Sequence, residues 1–411
     1  LGYHNPGARL VFAYSLHGSI AEKTTTNENG CVMKETLDKT VLLNDQEVIE
    51  RIFSHIDNNT TDLGETVWRE PVENYQSQER FDAEIALLKR LAVPYCPSVA
   101  LPDRGSYIAR KAAGTPLVVV RGLDGIVRAF INACRHRGMQ VAKGSGCSRS
   151  FVCPYHAWTY NLEGNLKSIP GQEGFPGVNP DEHGLVEVSA REKGGIVYVM
   201  QEGRITEEML DDKLDYFTPE QALFEQGDLT DEANWKLLTE TLMEGYHIKS
   251  LHKETFYPYG LDNVTLVENF GPNSRVIFPF RRIEKLRQIA PEKRCVDGLV
   301  TSVYLLFPNV SVAVLSKHTS LVILEPLSPT RSKWVVYRMI NKDSEGHTIT
   351  VDEAMRDALF VNESGQDEDR EAACAIQESA GSGANSHFTF GYFEKAIVNF
   401  HQHLSHHLDS K

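Results

Sequence analysis

Two Cys/His pairs, Cys134-x-His136 and Cys153-x-x-His156, stand sixteen residues apart in this chain. Four such ligands at this spacing gather metal, and a metal fixes its loops more tightly than any nearby apolar pattern. Zinc sites usually draw on repeated C-x₂₋₄-C or H-x₃₋₅-H pairs. Here each loop offers one thiol and one imidazole. That distribution suits a [2Fe–2S] cluster with two thiolates on one iron and two imidazoles on the other. A structural zinc of mixed ligand order is the alternative. Gly138 and Gly144 permit tight turns, and Pro154 stiffens the second loop.

The surroundings of these loops read as β structure. PLVVVRG (116–122) and IVRAFIN (126–132) are strand-like runs around the turn dipeptide Asp124-Gly125. SFVCPY, TYNLEGNL and GIVYVM (195–200) continue the pattern, so residues 105–202 are expected to form a small antiparallel domain with the ligand pairs at hairpin tips. Upstream, residues 34–65 and 81–93 carry helical periodicity. Downstream, an acidic passage, 205–227, reads as helical. Long runs such as TSVYLLFPNVSVAVL, SLVILEPL and KWVVYRMI then predict an antiparallel sheet with one face buried. Residues 352–380 and 391–408 are expected to be helical, with the HQHLSHH tail (401–407) on a solvated face.

A second constellation lies in MEGYHIKSLH, which supplies Glu244, His247 and His252. Glu244 and His247, three apart, share one helix face. His247 and His252 are five apart, about 140° around an ideal helix, and converge only if the helix ends or takes a π-like turn between them. Two histidines and a distant carboxylate make the facial triad of non-haem Fe(II) oxygenases. The segment 366–380 offers acids, of which Asp369 is the choice and Asp367 the alternative. Either acid alone is as well explained by its place at a helix start. Leu242 and Met243 are expected in core packing before any pocket wall.

Bulk properties bound the remaining possibilities. With 411 residues, 41% hydrophobic and 24% charged, the chain suits two globular domains. A net charge of −14 argues against nucleic-acid binding. No apolar run is long enough for a membrane helix. Seven scattered cysteines form no disulfide framework, and Cys31, Cys96, Cys147, Cys295 and Cys374 are expected to stay reduced, mostly buried, in the cytoplasm. Residues 1–32 lack a signal-peptide pattern and are expected to form a loosely ordered extension.

CRHRG and CPYHAW resemble the Rieske domain. NWKLLTETLMEGYHIKSLH and DREAACAIQ resemble the catalytic domain of Rieske non-haem iron oxygenases, the large (α) subunits of ring-hydroxylating dioxygenases and their monooxygenase relatives. The likeness covers roughly residues 65–408. It implies an α+β chain: an all-β Rieske domain (66–203, with a flanking helix) inserted before a helix-grip-like catalytic domain of antiparallel sheet plus helices (204–411), after an extension and helix (1–65). It also implies that Cys134 and Cys153 bind one iron of a [2Fe–2S] cluster and His136 and His156 the other. His247, His252 and Asp369 would hold mononuclear Fe(II), with Glu244 as the inter-subunit electron bridge. The implied partners are O₂, a small organic substrate and a ferredoxin or flavin reductase, since the chain carries no dinucleotide-binding fingerprint. Arg135, Arg137, Lys143 and Arg149 are candidates to steer an acidic electron carrier. The implied assembly is a homotrimer, with or without a β subunit. Hydroxylation of an aromatic ring is the first substrate expectation. Dealkylation of a quaternary amine or of an N- or O-alkyl substrate is the alternative, because Glu244 stands where the ring dioxygenases usually carry Asp. A bare Rieske electron carrier ranks below both.

Overall fold

The computed structural model describes residues 23–26, 32–35, 42–211, 213–342 and 349–409. Lys23–Thr26 pairs antiparallel with Val32–Glu35 inside a first unit, Leu1–Leu42. Most of the N-terminal extension, Cys31 included, and residues 36–41 of the first expected helix lie outside the described residues. Leu43–Lys411 forms the second compact unit.

Helix α1 is shorter than its periodicity suggests, Asp45–Asn58. Asn44 and Glu47 close a capping box at its start, and Asn59 in the left-handed conformation ends it. Its apolar face, Val48, Ile49, Ile52 and Phe53, packs on Leu266, Ile277 and Ile283. Trp68–Pro71 pairs with His387–Phe390, and α2 follows at Gln78–Arg90.

A seven-stranded antiparallel sheet comes next. Its spatial order is Val93–Pro97, Ile196–Met200, Glu187–Lys193, Val127–Ile131, Thr115–Arg121, Ser106–Ala112 and Gly144–Cys147. A smaller sheet, Phe151–Val152, Thr159–Tyr160 and Leu166–Ser168, covers one end of it. Cys134 and Cys153 are buried between the two with Phe130, Phe151, Trp158 and Tyr160.

The second seven-stranded sheet is a meander from Leu266–Phe270 through Asn273–Pro279, Val300–Leu306, Val310–Val314 and His318–Ser328 to Arg331–Ile340. Leu223–Asp231 is added at the far edge. Its apolar runs look continuous because both faces are buried, rather than the one expected. Leu321, Ile323, Val335, Tyr337 and Met339 face the first sheet. Val322, Leu324, Trp334 and Val336 face the helices. Arg110 donates to Glu325 at 2.6 Å across the junction of the sheets.

The acidic passage departs from its helical expectation. Glu208–Leu210 makes a single 3₁₀ turn, and Leu223–Asp231 is an edge strand. Glu225 and Asp228 stay in solvent, Asp231 is buried at the strand's end, and the backbone bonds to Arg331–Ile340, so ladder pairing overrides local helix propensity. Helices α3 (Trp235–Glu240) and α4 (Ile248–Leu251) precede the meander. Helices α5 (Val351–Val361), α6 (Asp367–Ala380) and α7 (Lys395–Asp409) follow it, with a π-helical turn, Asn362–Gln366, joining α5 to α6.

Two smaller expectations also change. His401 on α7 is fully buried rather than solvated, and its Nε2 lies 2.8 Å from Glu240. Cys96 is buried, but Cys147 is exposed and Cys295 and Cys374 are half-buried; all the described cysteines are free. Among the described residues no helix is long and apolar enough to cross a membrane.

Candidate metal centres

The first centre is built from two loops. Cys134 follows the strand Val127–Ile131, and Gly138, at φ +75°, turns the chain back so that its N–H donates to the Cys134 carbonyl at 2.8 Å. In the second loop the Ala157 N–H donates to the Cys153 carbonyl at 2.9 Å, with Ala157 held at φ +58°. A non-glycine residue in that region stores backbone strain, as functional loops do. The two thiols are buried, whereas His156 is exposed and His136 half-buried. The His136 and His156 Nδ1 atoms lie 3.1 Å apart, and His136 stacks on Trp158 at 5.0 Å. The Tyr160 hydroxyl lies 3.3 Å from the Cys134 sulfur. Two sheltered thiols beneath two outward imidazoles form the donor set a mixed-ligand [2Fe–2S] cluster requires. Arg135, Arg137, Lys143 and Arg149 are all exposed, and Arg137 lies over the Tyr155 ring at 5.3 Å.

The second centre begins where α3 stops. Asn234 caps this helix by accepting the Lys236 N–H at its Oδ1, 2.9 Å away, while its Nδ2 donates to the carbonyls of Tyr75 and Pro329 at 3.3 and 2.6 Å. The Trp235 indole N–H and the Lys236 ammonium both reach Glu84 on α2, at 2.8 Å each. These contacts account for the Asn-Trp-Lys sequence, which locks the end of α3 against α2. The chain then leaves helical geometry, so Glu244 sits in irregular backbone between α3 and α4 and not on the expected helix face. It meets His247 all the same. One Glu244 oxygen accepts the backbone N–H groups of Tyr246 and His247, and the other accepts the His247 Nδ1 proton.

His247 and His252 flank α4, a helix of only four residues. Because helical geometry begins after one and ends before the other, side chains five apart converge, with Nε2 atoms 3.2 Å apart. Asp369, in the first turn of α6, completes the group at 3.0 Å from His252 Nε2 and 3.4 Å from His247 Nε2. Asp367, two residues earlier, is directed to Arg370 at 2.8 Å. Among the described residues, His247, His252 and Asp369 alone form a three-ligand group with all ligand atoms within 4.8 Å.

Glu368 carried no signal in the sequence, yet it accepts the His252 Nδ1 proton at 2.6 Å and the Thr255 hydroxyl at 2.7 Å. Both imidazoles thus have their outer nitrogen fixed by a carboxylate, which sets the tautomer and aims Nε2 inward. Burial opposes charge on His247, but hydrogen bonds to Asp369 and Glu244 outweigh it and push the imidazolium up to about 10. Burial likewise opposes charge on His252, and Asp369 and Glu368 reverse it upward. Burial alone would raise the Asp369 carboxyl; the two histidines hold it below its ordinary value. Such a group demands positive charge, and two imidazoles with one carboxylate suit a ferrous ion with open positions.

A cavity of about 170 Å³ opens on this group. Leu242, Phe256, Tyr259, Phe278, Phe280 and Phe360 are among its walls, so Leu242 lines the pocket while Met243 lies in the core. The π-helical turn brings Gly365 against Phe256, where a Cβ would clash with the ring.

Residues 92–179 match the Rieske [2Fe-2S] domain, and residues 223–410 match the catalytic domain of the ring-hydroxylating alpha subunit. The chain is 33% identical over 161 residues to the glycine betaine monooxygenase oxygenase subunit of Chromohalobacter salexigens, covering 38% of this chain and 36% of that protein. It is 30% identical over 200 residues to the carnitine monooxygenase oxygenase subunit of Acinetobacter baumannii, covering 46% and 53%. The matched stretches therefore span only about a third to a half of these relatives. A crystal structure of a quaternary ammonium Rieske monooxygenase in complex with L-carnitine superposes with a TM-score of 0.69 at 21% identity, over 83% of this chain and 96% of that one. This chain joins a Rieske [2Fe–2S] domain to the catalytic domain of a ring-hydroxylating alpha subunit, the two-domain order of the Rieske non-haem iron oxygenases.

Proposed function

We propose that this chain is the terminal oxygenase component of a multicomponent enzyme and that it hydroxylates a quaternary or N-alkyl amine beside nitrogen. The observation that carries the oxygenase reading is the pairing, in one chain, of the Cys/His loops with the His247, His252 and Asp369 group facing an apolar cavity. Amine rather than arene is favoured by the activities for which the relatives are named, glycine betaine and carnitine monooxygenation. It replaces the aromatic-ring expectation drawn from the broader resemblance.

In this reading Cys134, Cys153, His136 and His156 hold the cluster, and His247, His252 and Asp369 hold Fe(II). Bound there, the cluster supplies single electrons and the ferrous ion activates O₂. The protein's own work is positional. Glu244 and Glu368 keep the two imidazoles in one tautomer, and the aromatic walls exclude water from the reacting carbon. Hydroxylation of a carbon beside nitrogen leaves a hemiaminal that divides into carbonyl and amine, which is dealkylation.

Electrons come from a separate ferredoxin or flavin reductase, approached through the basic residues around the cluster loops. Glu244, bonded to His247, is the bridge toward His156 of an adjacent subunit, in a homotrimer. The test is iron and acid-labile sulfide per chain with EPR of the reduced protein, followed by O₂ uptake with a surrogate reductase. About three irons and two sulfides are expected, with uptake coupled to methylated ammonium compounds. Two irons alone would reject the oxygenase, zinc without sulfide would reject both iron centres, and uptake coupled only to arenes would reject the amine.

A further inference from the structure

The cavity wall carries one acid that the metal group leaves unused. Among the described lining residues the acidic side chains are Glu244, Asp369 and Asp357, and none is Lys or Arg. Glu244 and Asp369 are engaged by the histidines. Asp357, on α5, is held from behind: the Lys317 amide and the His318 Nδ1 proton both donate to its Oδ2, at 2.9 and 2.8 Å. His318 is fully buried, so this support is rigid. No hydrogen bond to the other oxygen, Oδ1, is found among the described residues.

Aromatic rings link this acid to the metal group. Phe360 lies three residues on from Asp357, hence on the same face of α5. Its ring is 5.5 Å from that of Tyr259 and 6.2 Å from that of Phe256, and Phe256 in turn is 5.0 Å from the His252 ring. Phe360 and Tyr259 are both largely exposed, so they stand at the mouth, while Phe256 reaches the iron ligand. A fixed carboxylate in the same cavity wall as several aromatic rings is an arrangement that selects a weakly hydrated cation. An uncharged arene would fill the apolar walls but leave the Asp357 oxygen desolvated without a partner, which is costly.

We infer that Asp357, with Phe360 and Tyr259, is the specificity-determining recognition site for the cationic ammonium head of the substrate. The inference rests on the amine reading above and adds to it the residue that recognises the charge. Among the described residues Asp357 forms no hydrogen bond or ion pair with His247, His252 or Asp369, and its role is in binding the ammonium head.

The experiment uses the iron-loaded full chain with a surrogate reductase. Its probes are choline, glycine betaine and 3,3-dimethylbutanol, the neutral tert-butyl analogue of choline. Calorimetric binding of tetramethylammonium supplies a readout independent of turnover. Asp357→Asn is expected to raise KM for the ammonium substrate about tenfold or more, with kcat within about twofold and iron content unchanged. It should also erase the preference for the ammonium compound over its neutral analogue. Phe360→Leu, at an exposed position that does not hold His318, is expected to weaken tetramethylammonium binding several-fold while keeping the cluster spectrum. Turnover of ammonium substrates with KM and preference unchanged in both variants would overturn the role of Asp357 and leave the amine reading standing. Turnover of arenes alone by the unsubstituted protein would instead overturn the amine reading, and this inference with it.

Discussion

At the scale of single residues, the mononuclear centre depends on side chains that never face the ion. Glu368 fixes His252 through Nδ1 while Asp369, its neighbour in sequence, points to Nε2 of the same ring. Loss of such an orienting carboxylate costs about 10- to 100-fold in metal affinity. Glu368→Ala should therefore lose iron to a competing chelator at correspondingly lower concentration while the visible spectrum of the cluster persists. Retention equal to that of the unsubstituted chain would remove Glu368 from the support of the site. The sequence put Asp369 first and Asp367 as the alternative, and both begin the same helix. Two residues of helical rotation separate a group facing His252 from one facing Arg370, and only the placement of α6 against α4 tells which is which.

At the scale of elements, α3 is held by buried charge. Lys236 is fully buried against Glu84, and burial lowers its pKa although the Glu84 carboxylate opposes that fall. Removing one partner of a buried pair costs about 3 kcal/mol or more. Lys236→Met should lower the thermal midpoint by several degrees and loosen the segment that carries Glu244; an unshifted midpoint would show that the pair contributes little. The same helix ends in Glu240, which accepts from Tyr75 at 2.7 Å and lies 2.8 Å from His401. Burial pushes the Glu240 carboxyl up to about 8 and the His401 imidazole down to about 4, so the pair is neutral between those values. The folded chain keeps a proton on Glu240 that the unfolded chain has released above its ordinary value of 4.5. The stability contributed by this group is thus full in acid, falls as pH rises toward 8, and levels off above that. Glu240→Gln should flatten this fall, measured as thermal midpoints between about pH 5 and pH 9.

At the scale of the whole molecule, the two centres are positioned by a sheet buried on both faces. Leu321 and Ile323 face the Rieske sheet while Val322 and Leu324 face the helices, and Arg110 joins the two sheets through Glu325. Glu244 lies beside His247 in the catalytic domain and His156 is exposed in the Rieske domain, and the proposed transfer between subunits would join these two residues. Glu244→Ala should preserve the cluster spectrum and the iron content yet abolish substrate-coupled O₂ uptake. Full activity in that variant would remove the residue from the electron path.

The Cys/His spacing and the Glu244, His247 and His252 cluster were legible in the sequence because ligands close in chain order lie on one loop or one turn whatever the rest of the protein does. Strand runs were legible too, although their burial on both faces was not, since a strand does not record what packs on its second side. Tertiary structure alone decided the rest. It brought Asp369 to histidines over a hundred residues away, buried His401 under α3, made the acidic passage 223–231 an edge strand, and set Asp357 in one cavity wall with Phe360 and Tyr259. Each of these depends on which elements meet, and that is fixed by burial of distant apolar faces rather than by any local pattern.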